Sequence, residues 1–188
     1  EHGMTRRVWL MTCARLVSDA AVMIKGLAEE GQVDHNPEYR RLLDEARHRV
    51  NAAVDGFGAT AVRDACLVLP VKHTQEKGAV AQQEPNMAHA PTEEELASTQ
   101  AAAMLFVACR KYSDQEGLER AFRSKEADLV HRLQIGINFR VEFLRARMRH
   151  PICLAQLQGV AQVLKVLPQT EQVLELTYRV ERTIERYK

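Results

Sequence analysis

The sequence has 188 residues, of which 46% are hydrophobic, 27% are charged and only 5% are aromatic. Its 26 basic and 25 acidic residues give a net charge of +1, which argues against a protein that wraps a long stretch of nucleic acid. The longest apolar run, residues 101–109, is far too short to span a bilayer. Because aromatic residues are few, we expect a core of Leu, Val, Ala, Ile and Met, as in helical bundles.

The first predicted helix, residues 5–30, carries a heptad pattern. Its apolar residues follow one another in alternating steps of four and three: Trp9, Cys13, Leu16, Ala20, Met23 and Leu27. This spacing places them on one face over about five turns, and it is typical of a helix that packs against other helices. We expect Thr5 to cap the helix and Gly31 to end it.

The second predicted helix begins at Asn36-Pro37, because Asn is a preferred N-cap and Pro is favoured in the first turn. We expect it to run to about residue 54, to break or kink at residues 56–58, and to resume as far as Pro70. Its apolar stripe consists of Leu43, Ala46, Val50, Ala53 and Phe57.

Residues 72–91 have the composition of a linker. They are rich in His, Gln, Glu, Gly, Asn and Pro, and they show no periodicity. We predict that this segment is mobile and dispensable for folding, because it offers little to bury. The sequence is thereby divided into an N-terminal helical hairpin, residues 5–70, a flexible linker, residues 71–91, and a C-terminal helical segment, residues 92–188. The two helical parts are expected to form one bundle.

The third predicted helix starts with a capping box at Thr92 and Glu95 and extends to about Tyr112. In a capping box the hydroxyl and the carboxylate each accept a hydrogen bond from the other residue's amide. The apolar run at residues 101–109 covers all sides of this helix, so we expect the helix to be central and buried. Its three consecutive alanines would let neighbouring helices approach closely.

The fourth predicted helix, residues 115–150, is capped by Ser113 or Asp114 and has a second possible interpretation. Apolar residues alternate with other types from Leu133 to Phe143, which is the period of a strand. Val130, Leu133, Ile137, Val141, Leu144 and Met148 also fit a helix. We favour the helix, because a single strand would have no partner for its backbone hydrogen bonds.

Two shorter helices are predicted at residues 151–167 and 169–187. The last one has an apolar stripe, expected to face the bundle, at Val173, Thr177, Val180, Ile184 and Tyr187. Leu174 and Tyr178 lie on the flank of that stripe, which is more apolar surface than one contact needs. Together with Arg145 and Arg149, they form the candidate interaction surface.

The sequence contains no recognisable catalytic, cofactor or metal motif. Glu45/His48 and Asp128/His131 have the spacing of carboxylate–histidine pairs in di-metal bundles, but Glu45 and His48 lie opposite the apolar stripe and should face water. The four cysteines at positions 13, 66, 109 and 153 are far apart and lie among apolar residues. We interpret them as small buried hydrophobes in a reducing, intracellular environment.

The sequence therefore predicts an all-α bundle of five to six amphipathic helices. We expect a non-enzymatic protein–protein interaction module of the cytoplasm, such as a scaffold, an adaptor or an assembly subunit. Its partner would be another protein or a second copy of the chain, and we expect no cofactor. Two alternatives stay open: a helical-bundle enzyme or metal-binding protein with an unrecognised site, and a binder of nucleic acid or another polyanion. The second alternative rests on the basic run from Arg140 to His150.

Overall fold

The computed structural model of the protein describes residues 2–29, 36–74, 82–110, 119–147 and 149–188. Within these ranges the chain is all-α, as predicted, apart from one short β-ribbon. The helices are α1 (His2–Glu29), α2 (Pro37–Ala65), α3 (Glu93–Arg110), α4 (Glu119–Arg147), α5 (Pro151–Val166) and α6 (Glu171–Tyr187). The ribbon consists of β1 (Val71–Thr74) and β2 (Gln82–Pro85). Among the described helices, none is long and apolar enough to cross a membrane.

Helix α3 lies at the centre of the bundle, where it packs against α1, α2 and α5. Its Ala101, Ala102 and Ala103 are buried, and their small side chains let these neighbours approach closely. Helix α4 packs against α2, α5 and α6, and α5 packs against α6. The shared core is mainly aliphatic, which agrees with the low aromatic content of the sequence.

Two of the predicted helix starts are confirmed. The side-chain oxygen of Asn36 accepts hydrogen bonds from the Glu38 and Tyr39 amides at 3.0 and 3.3 Å. At the start of α3, the Glu95 amide donates to the Thr92 hydroxyl at 3.2 Å, and the Thr92 amide donates to the Glu95 carboxylate at 2.8 Å. The prediction that residue 5 caps α1 is wrong, because that helix already begins at residue 2.

Helix α2 runs without interruption from Pro37 to Ala65, so the predicted break at residues 56–58 is wrong. Gly56 lies beside open space, and a side chain there would meet no atom within 4 Å. Gly58 is buried, and a Cβ there would lie 3.0 Å from Cγ of Lys125 in α4. The second glycine therefore allows α2 and α4 to come close together. The helix ends at Ala65, and residues 66–69 form a turn, so α2 stops a few residues before the predicted end at Pro70.

The segment with strand-like alternation is helical throughout. Leu133, Ile137 and Val141 are buried at helical spacing, whereas Ile135 and Phe139 between them are exposed. The helical interpretation is confirmed, and the alternation reflects apolar residues on two faces of α4. The caps predicted for this helix, at residues 113 and 114, lie outside the described residues.

The predicted linker, residues 71–91, contains the two strands of the ribbon, an element that the sequence did not indicate. The two strands are antiparallel, with Val71 opposite Pro85 and Lys72 opposite Glu84. The latter pair is joined by an ion pair of 3.1 Å. Beside the ribbon, the Asn86 amide donates a hydrogen bond to the Pro70 carbonyl at 2.8 Å. Residues 75–81, in the middle of the predicted linker, lie outside the described residues.

The continuity of α2 can be tested at Gly56. Glycine costs an exposed helix interior about 0.8–1 kcal/mol relative to alanine, so we expect Gly56→Ala to stabilise the protein by up to that amount in urea unfolding. The matched control is Gly58→Ala, which should gain less because its methyl group meets the Lys125 side chain. A loss of stability for Gly56→Ala would contradict an uninterrupted helix.

Candidate functional site

Helix α1 exposes large apolar side chains along its length. Trp9 is 45% exposed, Leu16 62%, Met23 67% and Leu27 38%. These four belong to the heptad set defined by the sequence, which we call the α1 seam: Trp9, Cys13, Leu16, Ala20, Met23 and Leu27. Single exposed hydrophobic residues are ordinary on a protein surface, but a continuous apolar stripe marks a binding surface.

The α1 seam is not the face that α1 packs into the bundle. The buried residues of α1 are Leu10, Val17, Ala21 and Ile24. Each of the four directly follows a seam residue, so the buried face lies about 100° around the helix from the α1 seam. Helix α1 thus has two adjacent apolar faces. One packs within the bundle, mainly against α3, and the other is left on the surface.

The surface predicted on α6 is also exposed. Leu174 is 51% and Tyr178 is 65% exposed, while the predicted inward residues Val173 and Val180 are buried. Leu176 lies on the other side of the stripe, about 60° from Val173, and is buried. The apolar part of this surface therefore consists of two side chains, Leu174 and Tyr178.

A shallow groove of about 890 Å³ lies between α4 and α6. It brings together Arg145 and Tyr178 of the predicted surface, whereas Leu174 and Arg149 are not among the residues that line it. Its walls carry charges of both signs, contributed by Arg145, Glu175, Arg179, Arg182, Glu185 and Arg186. The Arg145 guanidinium is already bonded to the Glu142 carboxylate at 2.7 Å. This groove is more polar than the α1 seam.

Arg140 does not belong to the exposed basic run in which the sequence analysis placed it. Its side chain is completely buried, whereas Arg145, Arg147 and Arg149 are exposed. The last member of the run, His150, caps α5, because its Nδ1 accepts a hydrogen bond from the Cys153 amide at 3.3 Å. The basic run is therefore shorter than predicted, which weakens the case for a polyanion-binding surface.

The buried guanidinium of Arg140 joins three parts of the fold. Its Nε donates to the Gln156 side-chain oxygen in α5 at 2.6 Å, and one terminal nitrogen donates to the Pro70 carbonyl at 3.0 Å. The other terminal nitrogen donates to the Gly136 carbonyl at 3.0 Å. All three acceptors are neutral, so burial lowers the pKa of Arg140 to about 10, well below its ordinary value.

Gln156 extends this network to the segment that follows the ribbon. Its side-chain nitrogen donates to the carbonyl oxygens of Asn86 and His89 at 2.8 and 2.7 Å. The Arg140–Gln156 network therefore ties Pro70, Asn86 and His89 to α4 and α5. We did not predict this network from the sequence, although the sequence contains a signal for it. Arg140 follows Ile137 by three residues and precedes Leu144 by four, which places a lone charge on the inward face of α4.

The described cysteines are not set up for nucleophilic chemistry. Burial raises the pKa of the Cys66 thiol to about 12 and that of the Cys153 thiol to about 11, so both are protonated at neutral pH. Burial also raises the pKa of Cys13, which is only partly buried. The Cys153 sulfur donates to the Arg140 carbonyl at 3.6 Å. These thiols behave as packing groups.

The carboxylate–histidine pairs considered as metal ligands lie on the surface of the helices. Glu45 and His48 are exposed, as expected, and Glu45 is bonded to Arg49 at 2.6 Å. Asp128 is bonded to Arg132 at 2.9 Å, and His131 is exposed. In the described parts of the chain, His, Cys, Asp and Glu side chains form no group of three or more that could hold a metal ion.

Comparison with known proteins gives no relative from which a function could be transferred. The chain matches no family model, and neither a curated protein sequence nor a solved structure is significantly similar to it.

The structural role of Arg140 can be tested by substitution. We expect Arg140→Met to lower the free energy of unfolding by about 2 kcal/mol or more, because the Pro70 carbonyl and the Gln156 oxygen lose their buried donor. The matched control, Arg145→Met, removes an exposed arginine of the same helix and should change stability by less than about 0.5 kcal/mol. Urea unfolding measures both. Equal effects of the two substitutions would show that the Arg140 network is dispensable.

Proposed function

We propose that the protein is a non-enzymatic helical interaction module, such as a scaffold, an adaptor or an assembly subunit, and that the α1 seam is its binding face. The observation that carries this proposal is the exposure of Trp9, Leu16, Met23 and Leu27 on one long helix. Burial of such side chains against a partner is favourable by roughly 25 cal/mol for each Å² of apolar surface. A helix that leaves this surface in water gains stability when another protein covers it.

The heptad spacing of the α1 seam supports a helical partner. Apolar residues that repeat every seven positions match the knobs-into-holes packing of a second helix, whereas the wider stripe of an ordinary bundle helix has a period of 3.6 residues. Helix α1 can pack within the bundle and against a partner helix at the same time, because the two contacts use different residues. The buried face next to the α1 seam supplies the contacts within the bundle.

The surface on α6 is a second, weaker candidate within the same function. Leu174 and Tyr178 are exposed, and the adjoining groove offers charged side chains that suit the polar rim of an interface. Two large apolar side chains form a smaller anchor than the α1 seam provides, so we assign the principal contact to α1.

Photochemical cross-linking in an extract of the native source tests the proposal. A photoreactive amino acid would replace Met23, which lies in the α1 seam, or Met11, which is 41% exposed on the same helix outside it. We expect discrete protein adducts at position 23 and few or none at position 11. Unlabelled protein should compete for these adducts, and its Leu16→Glu variant should not.

The proposal would be contradicted by equal labelling at positions 11 and 23. It would also be contradicted if the Leu16→Glu variant competed as effectively as the unmodified protein. An adduct of the chain with itself counts in its favour, because a second copy is also a protein partner. This experiment therefore tests the binding face without fixing the identity of the partner.

A further inference from the structure

We infer that the occupant of the α1 seam is a second copy of the chain, whose α1 packs against it as an antiparallel two-helix coiled coil. This inference rests on the proposed function and names the partner. It follows from the order of residue types along the α1 seam, from the surface they expose and from the charges beside them.

The spacing of the α1 seam reads the same in both directions. Its residues are separated by steps of four, three, four, three and four, so an identical helix running the opposite way keeps every seam residue opposite another one. The two copies are then related by a twofold axis, which is the commonest symmetry of homo-oligomers and makes the same surface serve on both sides.

The antiparallel register also pairs side chains by size. Reversal of the α1 seam sets Leu16 opposite Ala20 and Met23 opposite Cys13, so that a large side chain faces a small one. Trp9 faces Leu27 at each end of the interface. A parallel pair would instead place Trp9 on Trp9 and Ala20 on Ala20, giving crowded layers beside poorly filled ones. Alternation of large and small residues gives the better packing.

The α1 seam supplies the apolar centre of an interface. Its four large side chains are about half exposed, which leaves on the order of 100 Å² on each and roughly 400 Å² in all. This is the size of the largest apolar patch on a typical monomer, a patch that is often functional. It is about half of the ~800 Å² per partner of a standard interface, and the exposed polar residues of the flank, Thr12, Arg15 and Asp19, would form its rim.

The charges beside the α1 seam are compatible with self-pairing. Arg15 and Asp19 are exposed and form an ion pair of 3.7 Å on the flank of α1, next to Leu16 and Ala20. In the antiparallel pair these two layers lie closest to the twofold axis. Each copy then brings one positive and one negative side chain to the axis, where Arg15 can approach Asp19 of the second copy. Such rim charges contribute to register more than to affinity.

The mass of the purified full chain in solution tests the inference. We expect the mass measured by light scattering to rise from the 21.3 kDa of one chain toward twice that value as the protein concentration increases from about 1 to about 200 µM. This range suits interfaces of moderate affinity. Met23→Glu should keep the mass of one chain over the whole range with an unchanged helical circular dichroism signal. Met11→Glu, which is the same substitution outside the α1 seam, should still double in mass.

A cross-link tests the orientation without depending on how Met23→Glu folds. In the antiparallel pair, Cys13 faces position 23 of the second copy, so Met23→Cys should form a disulfide between positions 13 and 23 of two chains under mild oxidation. Peptide mass spectrometry identifies the bond, and Met11→Cys is the control that should not form it. A parallel pair would instead join Cys13 to Cys13 in the unmodified chain.

The two proposals fail in distinguishable ways. A chain that keeps its single mass at every concentration overturns self-pairing, and so does a dimer that persists in Met23→Glu or a bond between two Cys13 residues. If position 23 still cross-links another protein in the extract, the α1 seam remains a binding face for a different partner. If it does not, the proposed function is overturned as well.

Discussion

The position of one buried cation organises the second half of this fold. A guanidinium removed from water must be surrounded by hydrogen-bond acceptors, and Arg140 finds them on α4, on α5 and at Pro70, just before the ribbon. Gln156 completes the arrangement by holding the carbonyl groups of Asn86 and His89. Because these acceptors belong to segments distant in sequence, the two bonded side chains of Arg140 and Gln156 fix how the residues on either side of the ribbon lie on the bundle.

The N-terminal helix is held by packing on α3 and α2, and it uses only one of its two apolar faces. The side chains of Leu10, Val17 and Ile24 are buried, while those of Leu16 and Met23, one position earlier in each case, remain in water. This division explains how one helix can serve both the stability of the chain and the contact with a partner. A change in the α1 seam is therefore expected to alter assembly with little effect on the fold.

The sequence predicted where the helices lie better than it predicted which of their faces are buried. Period and capping residues are local, so α3 with Thr92 and Glu95, and the start of α2 at Asn36, could be recognised directly. Which apolar stripe of α1 is buried depends on the position of α3, and a single sequence does not contain that information. The glycines at positions 56 and 58 suggested a break because glycine is a weak helix former, yet α2 continues through both, and at Gly58 it packs closely against α4. The charge of Arg140 favours the surface, whereas its helical spacing from Ile137 and Leu144 places it on the buried face of α4.

The single tryptophan of the chain gives the most direct test of the central claim, because Trp9 is part of the α1 seam and is 45% exposed in the free chain. Quenching of its fluorescence by acrylamide can be compared at about 1 and about 200 µM protein, because an interface of moderate affinity assembles between these concentrations. If two copies pair through the α1 seam, quenching should fall severalfold at the higher concentration, and Met23→Glu should abolish that fall. Equal quenching of the unmodified chain at both concentrations would contradict the account.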